Sequence, residues 1–401
     1  GVEKYGVWAT ILSILSWISY FDIGIGNGLR NRLTEAIASQ KQERGKKLVS
    51  SAYAMIAIIM IVAALVFIAV AQFINWHGVF GIGEIDEDLT QVVCVSVAFV
   101  ATNFVLSICK NVLYALQRAT FVSVMELCTQ LMNLCGVFIV SQFINGNLFA
   151  MACVYGVSMI TVNAVASIIT YTRRKDVRPS IGKVEVKTGM ELTSLGMQFF
   201  IIQICALVLF TTDNLIISRL YGAVDVTPYT SVNKLFNVIS HAFTALLAPI
   251  WSSVTKAKTQ NNFTWLNKLV NKLNILMVPF FCGAILLAII FKPLAGWWLQ
   301  MDLNYEHGLI ALGAFYCILT MWCNTYAYIA NGLELMKISM IVALVQAVVN
   351  IPLSLYFAQV WGMKNAGVLL GTVLSMFISA IITPVFVRKR IALGIKTNRQ
   401  Q

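Results

Sequence analysis

"RNRLTEAIASQKQERGKKLVSSAYAMIAIIMIVAALVFIAVAQFI", residues 30–74, falls into two parts. The first holds Arg30, Arg32, Lys41, Arg44, Lys46 and Lys47. The second, Leu48 to Ile74, carries no charge at all. About 20 apolar residues in a helix cross the hydrocarbon core of a bilayer, and a short basic stretch beside such a run marks its cytoplasmic end. This stretch therefore reads as a membrane span with its orientation attached.

The same reading extends over the chain. Its 401 residues are 59% hydrophobic and 11% charged, with a mean hydropathy of +0.79. Soluble domains carry about a quarter charged residues, so a chain this apolar has too little polar surface to face water. Eleven spans are expected, at 5–29, 48–74, 90–113, 121–143, 148–172, 191–218, 227–252, 270–291, 305–330, 338–358 and 365–387. The fold class is an all-α polytopic membrane protein.

The net charge of +12 does not point to nucleic acid, because the cations sit in alternate loops. After the opening stretch come Arg118, the run Arg173 to Lys187, Lys256, Lys258 and Lys268, Lys337, and the tail from Arg388 to Arg399. The opposite loops are poor in cations, and one is acidic with Glu84, Asp86, Glu87 and Asp88. The positive-inside rule then places the C-terminus in the cytoplasm. It also puts the start of the first span outside, which predicts a further helix ahead of Gly1 and at least twelve spans in the natural protein. The nine cysteines and three histidines show no metal-ligand spacing, and no cofactor motif is present.

Two halves share one plan. Tyr5-Gly6 and Tyr221-Gly222 each precede a span that runs into a polar stretch, Arg30–Lys47 and Thr255–Lys272. Both polar stretches read as short interfacial amphipathic helices, with Trp265, Leu266, Leu269 and Leu273 on one face of the second. "NVLYALQRATF" and "NGLELMKISM" are matching cytoplasmic hairpins. The offset is about 220 residues with the same orientation in both copies, as in parallel transporter repeats. The expected organisation is an N-terminal lobe at 1–172, a basic linker at 173–190, a C-terminal lobe at 191–387 and a basic tail at 388–401, with the two lobes around a central cavity.

Ionisable groups inside spans are costly and usually face a cavity or a partner. Here they are Asp22, Lys110, Glu126, Asp213 and Lys234. Lys110 and Glu126 lie near Arg118 and read as snorkelling groups or as partners. Asp213 either pairs with Arg219 or serves transport. Lys234 continues into a polar track, Asn233, Asn237, Ser240 and His241, largely on one helical face. A wet stripe of this kind suits a polar head group. In "DIGIGNG", Gly24 and Gly28 form a small-xxx-small pair that admits a close helix neighbour and do not fit a phosphate loop. Asp22 is then a cavity-facing or packing carboxylate.

The order "YGVWATILSILSWISYFDIGIGNGLRNRLTEAIA", with "TTDNLIISRLYGAVDVTPYTSVNKLF" in the second half, resembles the bacterial Wzx-type polysaccharide flippases. These belong to the multidrug/oligosaccharidyl-lipid/polysaccharide exporter superfamily. The residues that carry the resemblance are Tyr5, Gly6, Trp8, Asp22, Gly24, Asp213, Tyr221 and Gly222. It implies a MATE-like exporter fold of two six-helix lobes in the bacterial inner membrane. It also implies alternating access and a substrate of undecaprenyl-pyrophosphate-linked oligosaccharide, such as an O-antigen or capsule repeat unit, with polysaccharide polymerase machinery as a partner. For such a substrate Lys234 and Arg219 would supply cationic contacts, and Arg30 with Arg32 would gather anionic head groups at the cytoplasmic entrance. Trp8, Trp17 and Tyr20 would stack on sugars or anchor at the interface. A cation-coupled multidrug exporter of the same fold is the alternative that Asp22 and Asp213 keep open. A membrane-embedded enzyme would need a large catalytic loop, and the outer loops are connector-length.

Overall fold

The structure, a computed structural model, describes residues 24–76, 88–143, 147–300 and 303–400. Among them the chain is helical throughout. In order the helices are α1 Ile25–Ala38, α2 Gln42–Ala71, α3 Leu89–Ala115, α4 Ala119–Phe143, α5 Leu148–Arg173, α6 Val186–Tyr221, α7 Ala223–Thr259, α8 Phe263–Leu299, α9 Leu309–Gly332, α10 Met336–Leu355 and α11 Lys364–Gln400. Ten of them, α2 to α11, are long and apolar enough to cross a membrane, and they coincide with ten of the eleven expected spans. The expected span at 5–29, with Asp22, Trp8, Trp17 and Tyr20, lies mostly outside the described residues.

The burial pattern is that of a protein solvated by lipid. On α2, Ile58, Ile61, Val62, Leu65, Val66 and Val70 are all more than half exposed, at the three- and four-residue spacing of one helical face. On α8, Ile275, Ile285, Leu286 and Ile289 do the same. In water such faces would drive aggregation. In hydrocarbon they cost nothing, and helices then associate through close packing of small residues.

By packing, the chain divides into one unit up to Phe200 and another from Ile201. In the first unit the Gly24–Gly28 pair does what its spacing predicts. A Cβ at Gly24 would collide with the Gly196 carbonyl of α6, and one at Gly28 would lie 3.2 Å from the Leu192 carbonyl. Gly24 also takes φ +63, a conformation that costs other residues steric energy. In the second unit Gly371 lets α11 lie against the backbone of α10 at Ser354, and Gly367 against Phe357–Ala358 in the π-helical turn Tyr356–Val360 that follows it.

The repeat is written in the turns. After α1, Ser39, Gln40 and Lys41 donate their N–H groups to Glu35, Ile37 and Ala36, with Gln40 at φ 57. After α7, Gln260, Asn261 and Asn262 donate to Lys256, Lys258 and Ala257, with Asn261 at φ 56. The α3–α4 and α9–α10 turns repeat this pattern at Gln117 (φ 60) and Glu334 (φ 59). All four are left-handed helix caps that reverse the chain within three residues.

These caps correct one expectation. The polar stretch 255–272 is not a separate interfacial helix: it is the end of α7 and the start of α8, prolonged beyond the apolar spans. In 30–47 the residues from Gln42 on are likewise the start of α2, while Arg30–Ala38 belong to the 14-residue α1. The face bearing Leu266 and Leu273 turns inward, with both side chains buried, and only Trp265 of that set is exposed, at 39%.

The basic segment after α5 is a strap built from two short 3₁₀ turns, Lys175–Val177 and Ile181–Lys183. It lies on α2. Ser180 N–H donates to Ser50 Oγ at 2.9 Å, and Ser51 Oγ donates to the Glu185 carbonyl at 3.1 Å while accepting from its N–H at 3.0 Å. Arg174 grips Asp176 through two hydrogen bonds of 2.8 and 2.6 Å and holds its carboxyl below the usual range. Replacing Ser51 by Val leaves the Glu185 N–H and carbonyl without these partners. The expected result is faster amide exchange, by about tenfold, confined to residues 178–187, at a cost of about 1–3 kcal/mol. Unchanged exchange there would show that the strap does not depend on Ser51.

Candidate functional site

Asp213 lies on α6 and is 3% exposed. Its Oδ2 accepts hydrogen bonds from Tyr229 OH on α7 at 2.5 Å and from Thr372 Oγ1 on α11 at 2.8 Å. Asn350 Nδ2 on α10 donates in turn to Thr372 Oγ1 at 2.8 Å. Four helices of the second unit therefore meet at one carboxylate. Its other oxygen, Oδ1, is buried without a hydrogen-bond partner. Arg219, the partner considered from the sequence, is exposed, and Asp213 forms no ion pair among the described residues. An ionised carboxylate in such surroundings needs a compensating positive charge. The unfilled oxygen is where a proton or a small cation would supply it.

The second cluster is on the same α7. Tyr229 and Asn233 lie toward the packed side, Asn233 half-buried with its Oδ1 unpartnered. Lys234 and His241 are exposed and Asn237 is half-buried. Lys234 and His241 are seven residues apart, two helical turns, and so share one face. Of the polar track expected from spacing, Lys234 and His241 are therefore the exposed members on the second unit. One turn further on, Thr244 accepts a hydrogen bond from Asn324 at 3.2 Å. Ser240, which the spacing joined to the track, is buried and contacts Cys317 Sγ at 3.2 Å.

In the first unit, Arg30 is 4% exposed, with its guanidinium 4.4 Å from the centre of the Tyr114 ring. A buried cation over an aromatic face joins α1 to α3. Arg32 pairs with Glu35 at 3.1 Å and with Glu191 at 2.9 Å. Lys110 and Glu126 approach to 3.8 Å across α3 and α4. Asp22 lies outside the described residues. Among the described residues no group of three or more His, Cys, Asp or Glu could hold a metal ion.

Sequence reasoning found Asp213 but missed Tyr229, Asn350 and Thr372. Tyr229 carried a faint signal, four residues before Asn233 on the same helical face. Nothing in spacing alone joins Asn350 and Thr372, on two other helices, to residue 213.

The model of the family described as "Polysaccharide biosynthesis protein" matches residues 1–255, well over half of the chain. The chain belongs to this polysaccharide biosynthesis protein family. A Salmonella typhimurium protein named "Putative O-antigen transporter" is 23% identical over 381 residues, covering 94% of this chain and 86% of the relative. A Yersinia pseudotuberculosis "Putative O-antigen export protein" is 22% identical over 393 residues with the same coverage. Among solved structures, an outward-facing multidrug resistance MATE family transporter of the MOP superfamily superposes with a TM-score of 0.83 at 13% identity, covering 99% of this chain and 90% of that one. A Vibrio cholerae MATE transporter in its bent form gives 0.77 at 15%, covering 98% and 93%. These structures establish the fold: the family member is an all-α polytopic membrane protein of the MATE exporter type. The family match includes Asp213, Tyr229 and the α7 stripe, while Asn350 and Thr372 lie beyond it.

Proposed function

We propose that this chain is a flippase, not an enzyme. Its substrate is an undecaprenyl-pyrophosphate-linked oligosaccharide, carried across the bacterial inner membrane by alternating access. The C-terminus and the basic turns lie in the cytoplasm. Relatives named for O-antigen transport and export, matched over 94% of the chain, support the substrate class. The observation that carries the mechanism is that one helix, α7, bears both clusters. Tyr229 ties it to the Asp213 carboxylate, and five residues on, about 7.5 Å along the axis, Lys234 opens the exposed hydrogen-bonding stripe. A proton or cation at Asp213 changes what Tyr229 holds, and α7 passes that change to the stripe. Lys234 and Arg219 contact the pyrophosphate, while Asn233, Asn237 and His241 contact sugar hydroxyls. Arg30 and Asp22 act in the first unit, Arg30 by positioning α1 against α3.

Replacing Lys234 by Ala is expected to cut surface display of the glycan at least about tenfold, the worth of one charge-assisted contact. The amount of protein in the membrane stays at the wild-type level, because the side chain is exposed. Wild-type display from this variant removes Lys234 from the substrate path. Retained display of glycan with lost efflux of a cationic dye, on deleting the whole protein, would place it among the multidrug exporters instead.

A further inference from the structure

At the cation-poor end of the second unit, α8 and α9 enclose a groove of about 650 Å³. Its lower wall is apolar, with Ile285, Ile289, Ile310 and Ala311, and its upper rim carries Lys292 and His307. Lys292 lies seven residues beyond Ile285 on α8, so the cation sits about 10 Å above the apolar base. Trp297 and Trp298, 78% and 43% exposed, follow one turn later, at the level where tryptophans mark the membrane–water interface.

The rim is held in place. Tyr305 OH lies 3.3 Å from Ser231 Oγ, and its ring stands edge-on to Phe291 with centroids 5.3 Å apart. Glu306 is also at the rim, but its Oε2 accepts the Ala366 N–H of α11 at 3.1 Å. Glu306 is thus directed to that amide, and Lys292 forms no ion pair among the described residues. The groove thus offers a lysine without an ion pair at interface height over an apolar wall open to lipid, with Ile289 75% exposed.

We infer that this groove binds a phospholipid with a single anionic headgroup, its phosphate on Lys292 and His307 and its acyl chain along Ile285, Ile289 and Ile310. Neither feature suffices alone: a zwitterionic lipid brings its own cation to the rim, and a free phosphate leaves the apolar wall empty. This site lies apart from the α7 stripe and does not depend on which glycan is moved.

The test is titration of the purified full-length chain in neutral detergent with phosphatidylglycerol, followed by native mass spectrometry. The expected result is saturable binding that weakens at least about tenfold in Lys292→Glu, one charge-assisted contact exchanged for a repulsion. Ala311→Phe fills the groove and weakens binding as much without altering charge. Lys389→Glu, an exposed change in the basic tail, leaves it within about twofold. Equal binding of phosphatidylcholine, equal binding by Lys292→Glu, or displacement of phosphatidylglycerol by equimolar inorganic phosphate each overturns the inference. So does selective uptake of a polyprenyl phosphate with no phosphatidylglycerol bound, which would make the groove a substrate site. Should Ala311→Phe not fold, Lys292→Gln, uncharged and at an exposed position, still reads the phosphate contact, and weaker binding is again expected.

Discussion

Gly371→Leu is expected to remove the folded protein almost completely. A Cβ at residue 371 would lie 2.5 Å from the Ser354 Cα and 2.7 Å from its Oγ, and it would meet the Ser354 amide nitrogen more closely still. Two of these three atoms are backbone, and Ser354 is fully buried with its Oγ bonded to the Val368 carbonyl at 3.2 Å. A clash with a flexible side chain relaxes by a rotamer change, but a clash with backbone moves a helix. Overpacking costs about 1–3 kcal/mol where side chains can yield and more where they cannot, against a total stability of about 5–15 kcal/mol. The α10–α11 contact is one helix lying directly on another, so separation exposes the polar groups of both to hydrocarbon. The measurement is the yield of monodisperse protein in detergent and its thermal midpoint. Ser354→Gly removes the Oγ and not the backbone, so it should fail to rescue Gly371→Leu. Rescue, or a wild-type midpoint for the single variant, would show that the contact is looser than described.

That pair also shows what was legible in the sequence. Glycines four apart are visible in a string, and the Gly24–Gly28 pair was read from spacing before its neighbour, the Leu192–Gly196 segment, was known. Apolar runs of 20 or more residues leave few folds open, which is why ten spans and their order follow from hydropathy alone. Lys110 and Glu126 were each read as lying about two turns from Arg118, on either side of one short turn, and they meet at 3.8 Å. Two things were illegible for a physical reason. The turns at Gln40 and Asn261 use a left-handed residue without glycine, so no breaker announces them, and the flanking polar helices read as independent. The Asp213 cluster joins four helices through hydroxyl and amide groups. In a string, a Thr or an Asn inside an apolar span looks the same whether it faces a backbone carbonyl of its own helix or a carboxylate on another.

Asp213→Asn is expected to abolish glycan export while the protein remains folded in the membrane. The substitution keeps the side chain's volume and an oxygen that accepts from Tyr229 OH and Thr372 Oγ1, the two donors at 2.5 and 2.8 Å. What it removes is the ability to change charge. If the cluster served packing alone, the neutral amide would be tolerated or even favoured, because a buried carboxylate without a cation is costly. If gain and loss of a positive charge at Oδ1 drives the α7 stripe between states, the amide holds the unit in one of them, and export falls by at least about a hundredfold, near 2.7 kcal/mol on the barrier. Tyr229→Phe separates the two accounts further. It leaves Asp213 ionisable and removes only the bond that ties it to α7. Export should then fall while the binding of a proton or cation at Asp213 persists, seen as ion-dependent thermal stabilisation that Asp213→Asn lacks. Full export by Asp213→Asn, or loss of stability equal in Asp213→Asn and Tyr229→Phe with no ion dependence in the wild type, would make the cluster a structural clasp and move the driving charge to another part of the chain.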